Sequence, residues 1–221
     1  MTNCFKDLGI NTIVFDLEGV IIDTTKLWSI IDDIFFSFYK ITPIKLNKLN
    51  VVGKSLNEVV HYYKIFFKLH EPIELLINNY LKISKLVFEN NNIKYIDWFL
   101  DFFYSISNKY NIWVATSLNY QLLNIILKKT NLSNMFKNNI FCNSYYLLNW
   151  ENKEEIFKFV IDSLNSIPNK TIIIEDSVIW VISAKNIWSK VIWIETNFNK
   201  IDLKYADYVF KNFSEIKKLF T

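Results

Sequence analysis

The strongest constraint in this 221-residue chain is a regular alternation of short β-branched runs with amphipathic stretches. Residues 10–17 form an apolar run that ends in acidic residues, the mark of a buried strand. From residue 97 onward, helices are predicted over 97–110, 120–129, 153–164 and 178–186, with a last one from Ser214. Strands are predicted between them over 112–115, 139–142, 171–174, 190–194 and 207–210. Strands separated by helices in this way build βαβ units and a parallel sheet. Residues 24–92 interrupt the series. Their apolar positions recur at helical spacing in Leu27, Ile30, Ile31 and Ile34, in Val59, Val60, Tyr63 and Phe66, and in Leu75, Leu76, Tyr80, Leu81 and Ile83. Breaks fall near Pro43, Gly53 and Pro72. The fold class is therefore α/β, a parallel sheet with a helical block inserted after its first strand and no internal repeat.

Composition narrows the partners. Half of the residues are apolar (51%) and 21% are charged, which excludes a disordered chain. The net charge is only +3 and no lysine cluster interleaves with aromatics, so nucleic-acid binding is not expected. The apolar runs, such as residues 178–182, are too short to cross a membrane, and the mixed charges of residues 1–7 do not read as a signal peptide. Cys4 and Cys142 form neither a disulfide framework nor a metal cluster, which fits the reducing cytoplasm. His61 and His70 lack partners at metal-ligand spacing and read as packing or surface residues. The stripe Tyr62, Phe66 and Phe67 reads as core.

Ligands of open parallel sheets bind at the carboxyl ends of the strands. Those ends carry Asp16 and Glu18, Thr116 and Ser117, and Glu175 and Asp176. Carboxylates gathered at close range disfavour one another and call for a cation. Oxygen ligands alone suit Mg²⁺, which takes one or two carboxylates together with a substrate phosphate.

Three segments, in order and on predicted strand ends, give a specific resemblance. The run 14–24, Val-Phe-Asp-Leu-Glu-Gly-Val-Ile-Ile-Asp-Thr, resembles the first motif of the haloacid dehalogenase (HAD) superfamily. Ala115-Thr116-Ser117 resembles the second, and Ile174-Glu175-Asp176-Ser177 the fourth. The helical block resembles the cap of the β-phosphoglucomutase and phosphoglycolate-phosphatase branch. The resemblance implies a Rossmann-like catalytic core over 1–23 and 93–221, with a helical cap over 24–92. It implies a Mg²⁺-dependent phosphatase acting on a small phosphorylated metabolite. Asp16 would be the nucleophile that takes the phosphoryl group, and Thr116 would hydrogen-bond that group. Asp176 would hold Mg²⁺ with Asp16, and Glu175 would assist. Glu18 stands where most relatives have Asp. It would contact the metal through its main-chain carbonyl and act as general acid, then base.

The third motif is faint. Aligned on Glu155-Ile156-Phe157, it puts Glu151 where the family wants a lysine, and Lys153, at the start of the next helix, is the substitute. Gly53-Lys54-Ser55 resembles the cap loop that closes over substrate, with Lys54 placed to meet a distal charge. Ser117 joins Gly53 and Lys54 as a substrate contact. Two other readings stay open: a phosphosugar mutase on the same scaffold, and a catalytically impaired binding protein.

One count is out of line. Gly occurs 3 times, where ordinary usage of ~7% gives about 15, and Trp occurs 7 times. Trp113, Trp150, Trp180, Trp188 and Trp193 stand where the resembled family often has Gly, and Trp98 is a sixth such position. Indoles of this size packed beside a compact phosphate site are expected to overfill it. The simplest reading is a codon, UGA, translated here as Trp and read as Gly in the source organism.

Overall fold

The computed structural model describes residues 5, 8–42, 51–142, 153–195 and 205–220. The expected strands form one six-stranded sheet. They are β1 (Thr12–Phe15), β4 (Asn111–Thr116), β5 (Ile140–Cys142), β6 (Thr171–Glu175), β7 (Lys190–Ile194) and β8 (Tyr208–Phe210), in the order β5-β4-β1-β6-β7-β8. Every pairing in it is parallel. The chain moves outward from β1 on one side, through β4 to β5, and on the other through β6 and β7 to β8. The topological switch point is therefore at β1, and the crevice beyond its carboxyl end is the natural ligand position.

Alternate side chains of each strand enter separate apolar layers. Ile13, Phe15, Ile112, Val114, Ile172 and Ile174 pack on one face. Val14, Ala115, Ile173, Val191 and Trp193 pack on the other. This two-faced burial is why β1 and β6 read as unbroken apolar runs rather than alternating ones. The first layer is closed by α4 (Phe99–Ile106), α5 (Tyr120–Lys129) and α9 (Phe213–Phe220). The second is closed by α7 (Lys153–Ser163) and α8 (Val178–Asn186). A short helix, α6 (Leu132–Phe136), and a 3-10 turn (Pro168–Lys170) complete the connections on this part of the chain. No helix among the described residues is long and apolar enough to cross a membrane.

Three helices, α1 (Thr25–Phe38), α2 (Leu56–Phe66) and α3 (Ile73–Asn90), interrupt the series after the first strand, as the periodicity predicts. Pro72 sits at the N-cap of α3, and Pro43 lies outside the described residues. A two-stranded antiparallel ribbon stands where the chain enters and leaves this block, with Ile22 opposite Tyr95 and Asp23 opposite Lys94 (β2, Ile22–Asp23; β3, Lys94–Tyr95). The helices share a buried polar knot. Tyr63 of α2 and Tyr80 of α3 both donate to Asp32 Oδ1 of α1, at 2.9 and 2.8 Å. Burial, then the Asp32 charge, pushes both phenols above their ordinary pKa, so they remain donors.

One expectation changes. Phe66 is 44% exposed, because the inward position of that turn belongs to Tyr63, 1% exposed. Of the stripe Tyr62, Phe66 and Phe67, only Phe66 lies outside the core; Tyr62 and Phe67 are half-buried and pack against it. Trp180 and Trp193 are 2% and 1% exposed in the second layer, where Trp180 meets Phe157 edge-on at 4.9 Å. His61 is exposed, and its ring Nδ1 lies 2.8 Å from the Asn57 carbonyl of its own helix.

Candidate active site

Asp16 follows the last residue of β1, and its N–H donates to the Ile174 carbonyl of β6 at 3.0 Å. That bond carries the ladder one residue past the strand and sets Asp16 level with Glu175 at the lip of the sheet. Carboxylate oxygens of Asp16, Glu175 and Asp176 lie within 4.8 Å of one another. Glu175 is 1% exposed, and its Oε2 accepts the Ser177 N–H at the head of α8. Three carboxylates this close, one of them buried, form an oxygen-only donor set of the kind a hard divalent cation neutralises.

Beyond Asp16 the chain folds back on itself. The Ile21 and Ile22 N–H groups donate to the Leu17 carbonyl at 2.9 and 3.0 Å, and Gly19 N–H to the Ile22 carbonyl at 2.8 Å. Gly19 is required here on two counts. Its φ is +82°, and a Cβ on it would lie 2.7 Å from Asp176 Cγ. Gly9 has a φ of +67° but nothing near enough to meet a Cβ. Gly19→Ala is therefore expected to displace the Asp176 carboxylate and weaken any divalent-cation binding at the trio, besides costing about 1–2 kcal/mol of backbone strain. Gly9→Ala is expected to cost the strain alone. Calorimetric metal titration beside thermal unfolding of both variants checks the difference.

The same turn presents Glu18 inward. Its Oε1 accepts two hydrogen bonds of 2.7 Å, from Thr24 Oγ1 and from Trp28 Nε1. Burial raises the Glu18 carboxyl above the usual value, and the two donors pull it partway back. Sequence reasoning missed both donors. Thr24 occupies the N-cap of α1 without making a side-chain cap bond, and its hydroxyl donates to Glu18 instead. Trp28 lies one turn further on, stacked on Tyr80 at 6.3 Å. A Thr that opens a helix six residues after the acid, followed by an indole on the helix's inward side, was the available signal.

Thr116 ends β4 beside β1, 2% exposed, and its Oγ1 accepts the Leu118 N–H at 3.1 Å. That leaves its hydroxyl hydrogen available to an oxygen in the crevice. Ser117 follows it and is partly exposed. Gly53 arrives from the helical block. A Cβ there would lie 2.7 Å from Ser177 Oγ, and its carbonyl accepts Trp180 Nε1 at 3.1 Å. The 51–55 segment thus rests on the residue that follows Asp176. Ser177 takes the N-cap position of α8 without the expected side-chain cap bond. Lys54 holds its ammonium 5.4 Å from the centre of the Tyr62 ring. Helix α7 begins at Lys153 as predicted, but that side chain, Glu151 and Trp150 lie outside the described residues.

Residues 13–194 match the model of the haloacid dehalogenase-like hydrolase family. The chain belongs to that family. No curated protein sequence matches it. Solved structures share its fold at low identity. A haloacid dehalogenase-like hydrolase of Streptococcus pneumoniae aligns with a TM-score of 0.79 at 17% identity, covering 96% of this chain and 99% of the other. A predicted phosphoglycolate phosphatase of Haemophilus somnus gives 0.77 at 14%, covering 96% and 99%. CbbY of Rhodobacter sphaeroides, solved with xylulose-(1,5)bisphosphate, gives 0.72 at 13%, covering 93% and 96%.

Proposed function

We propose that this HAD-family chain is a Mg²⁺-dependent phosphatase that hydrolyses a small phosphorylated metabolite through a phosphoryl group carried on Asp16. The observation that carries the reading is the trio Asp16, Glu175 and Asp176, with oxygens within 4.8 Å at the switch point of the sheet. Phosphate ligation in structural relatives agrees with it, CbbY having been solved with a phosphorylated sugar.

Asp16, Asp176, Glu175 and the main-chain carbonyl of Glu18 would hold Mg²⁺, which when bound offsets the charge of the phosphate. The Asp16 carboxylate attacks phosphorus, the bond to the leaving oxygen breaks, and the Glu18 carboxylic acid gives that oxygen its proton. Glu18, now ionised, takes a proton from water as the water attacks phosphorus. Phosphate leaves and Asp16 is restored. The hydrogen bonds from Thr24 and Trp28 fix Glu18 Oε1, leaving Oε2 for proton transfer. Thr116 donates to a phosphoryl oxygen, and Lys153 supplies the cation beside Asp16. The 24–92 segment acts as a cap whose Gly53 loop, resting on Ser177, keeps water out until the phosphoryl group is on Asp16.

Chelation provides the test. Hydrolysis of p-nitrophenyl phosphate and of a panel of phosphorylated metabolites is expected to fall to background after treatment with EDTA and to return with added Mg²⁺. Full activity in EDTA contradicts the metal assignment. Failure to turn over any phosphomonoester in Mg²⁺ contradicts the enzyme reading and favours a binding protein.

A further inference from the structure

We infer that Trp98 and Trp188 are glycine in the native protein, written with a codon that the source organism reads as Gly, whereas Trp28 is a true tryptophan. The inference is independent of the catalytic reading.

The backbone carries it. Trp188 follows α8, and the bonds around it define a Schellman motif. Its N–H donates to the Lys185 carbonyl at 2.9 Å, and the Ser189 N–H reaches back to Ala184 at 3.2 Å. The residue in its place must be left-handed, and its φ is +66°. Glycine is the ordinary occupant because it has no Cβ to strain. The indole gives nothing in return, for it is 83% exposed. Trp98 repeats the case in a different turn. The Phe99 N–H closes on the Ile96 carbonyl at 3.1 Å, with Trp98 third in the turn at φ 65° and ψ 0°. Those angles match the third position of a type II turn, which calls for Gly. This indole too is mostly in solvent, 61% exposed.

Other side chains in this chain tolerate positive φ, and the contrast is informative. Lys40 and Lys68, each at φ 54°, follow α1 and α2 in equivalent turns. A cation at a helix carboxyl end interacts favourably with the helix dipole, and an indole has no such role. Trp193 adds a sign of another kind. It is 1% exposed, and its Nε1 has no hydrogen-bond partner among the described residues, where a buried indole N–H ordinarily finds one. Trp28 is the opposite in every respect. It lies within α1, partly buried and stacked on Tyr80, with its indole N–H on Glu18.

The counts say the same thing independently. Residues with codons rich in G and C are scarce here: 3 Gly, 3 Pro, 3 Ala and no Arg, against 25 Lys. The ordinary Trp codon, UGG, is rich in G, so an AT-rich gene should hold few of them. Yet Trp occurs 7 times, more often than any of those four. Reading the codons at 98 and 188 as Gly moves both counts toward ordinary usage, from 7 Trp and 3 Gly to 5 of each.

The gene and the native protein decide it together. The expected result is UGA at positions 98 and 188, UGG at position 28, and peptide masses from protein purified from its source that show Gly at the first two. UGG at 98 and 188 overturns the inference, as does Trp in those native peptides. A stability comparison tests the physical argument in recombinant protein. Trp98→Gly and Trp188→Gly should each melt about 2–4 °C above both the parent and the matching Ala variant, since Ala keeps the Cβ that strains the left-handed turn. Ala variants as stable as the Gly variants would overturn the claim that these turns demand glycine.

Discussion

Asp16→Asn is expected to abolish phosphomonoester hydrolysis while leaving the fold intact. The amide keeps the shape of the side chain at the lip of β1, and the main-chain bond to Ile174 is unaffected. What would be lost is the proposed nucleophile, and one anion of the trio with Glu175 and Asp176. Removal of a nucleophile costs on the order of 10⁴- to 10⁶-fold in kcat. Steady-state assays of the variant beside its thermal unfolding curve check this. Activity within tenfold of the parent would mean that Asp16 is a ligand or a cap and not the attacking group.

Glu18→Gln is the second large effect, and it separates chemistry from structure. The Gln Oε1 can accept the same two hydrogen bonds from Thr24 and Trp28, so the turn keeps its geometry. It carries no acidic proton. Loss of a general acid and base lowers kcat by roughly 10²- to 10⁴-fold. Metal affinity, measured by titration calorimetry, is expected to hold, because the contact proposed at this residue is through its main chain. The melting temperature is expected not to fall, because the buried ionisable group is replaced by a neutral one. A fall in metal affinity comparable to the fall in kcat would contradict the role given to Glu18.

Most of the sheet was legible because its strands are buried on both faces. Runs such as residues 171–174 then stand out without reference to any partner. The acids of the site were legible for a related reason, since they interrupt those runs at the strand ends. What the sequence hid was non-local. The β2–β3 ribbon has two residues in each strand, too few for any periodicity, and its pairing spans the whole helical block. The bonds from Thr24 and Trp28 to Glu18 depend on how α1 leaves the turn, and the N-cap and apolar positions of that helix account for both residues without them. Phe66 misled because it shares helical spacing with Tyr63, while one face of α2 supplies the core. Gly19 is the converse case. Its place in the Asp-x-Glu-Gly run was plain, but the positive φ and the approach of Asp176, which disfavour anything larger, appear only in the fold.

The central claim is that the phosphoryl group rests on Asp16 between two displacements. The stereochemistry at phosphorus measures this most directly, using an isotopically chiral thiophosphate ester of whichever metabolite turns over. Two in-line steps predict retention of configuration in the released thiophosphate. Inversion, the outcome of a single attack by water, would contradict the account.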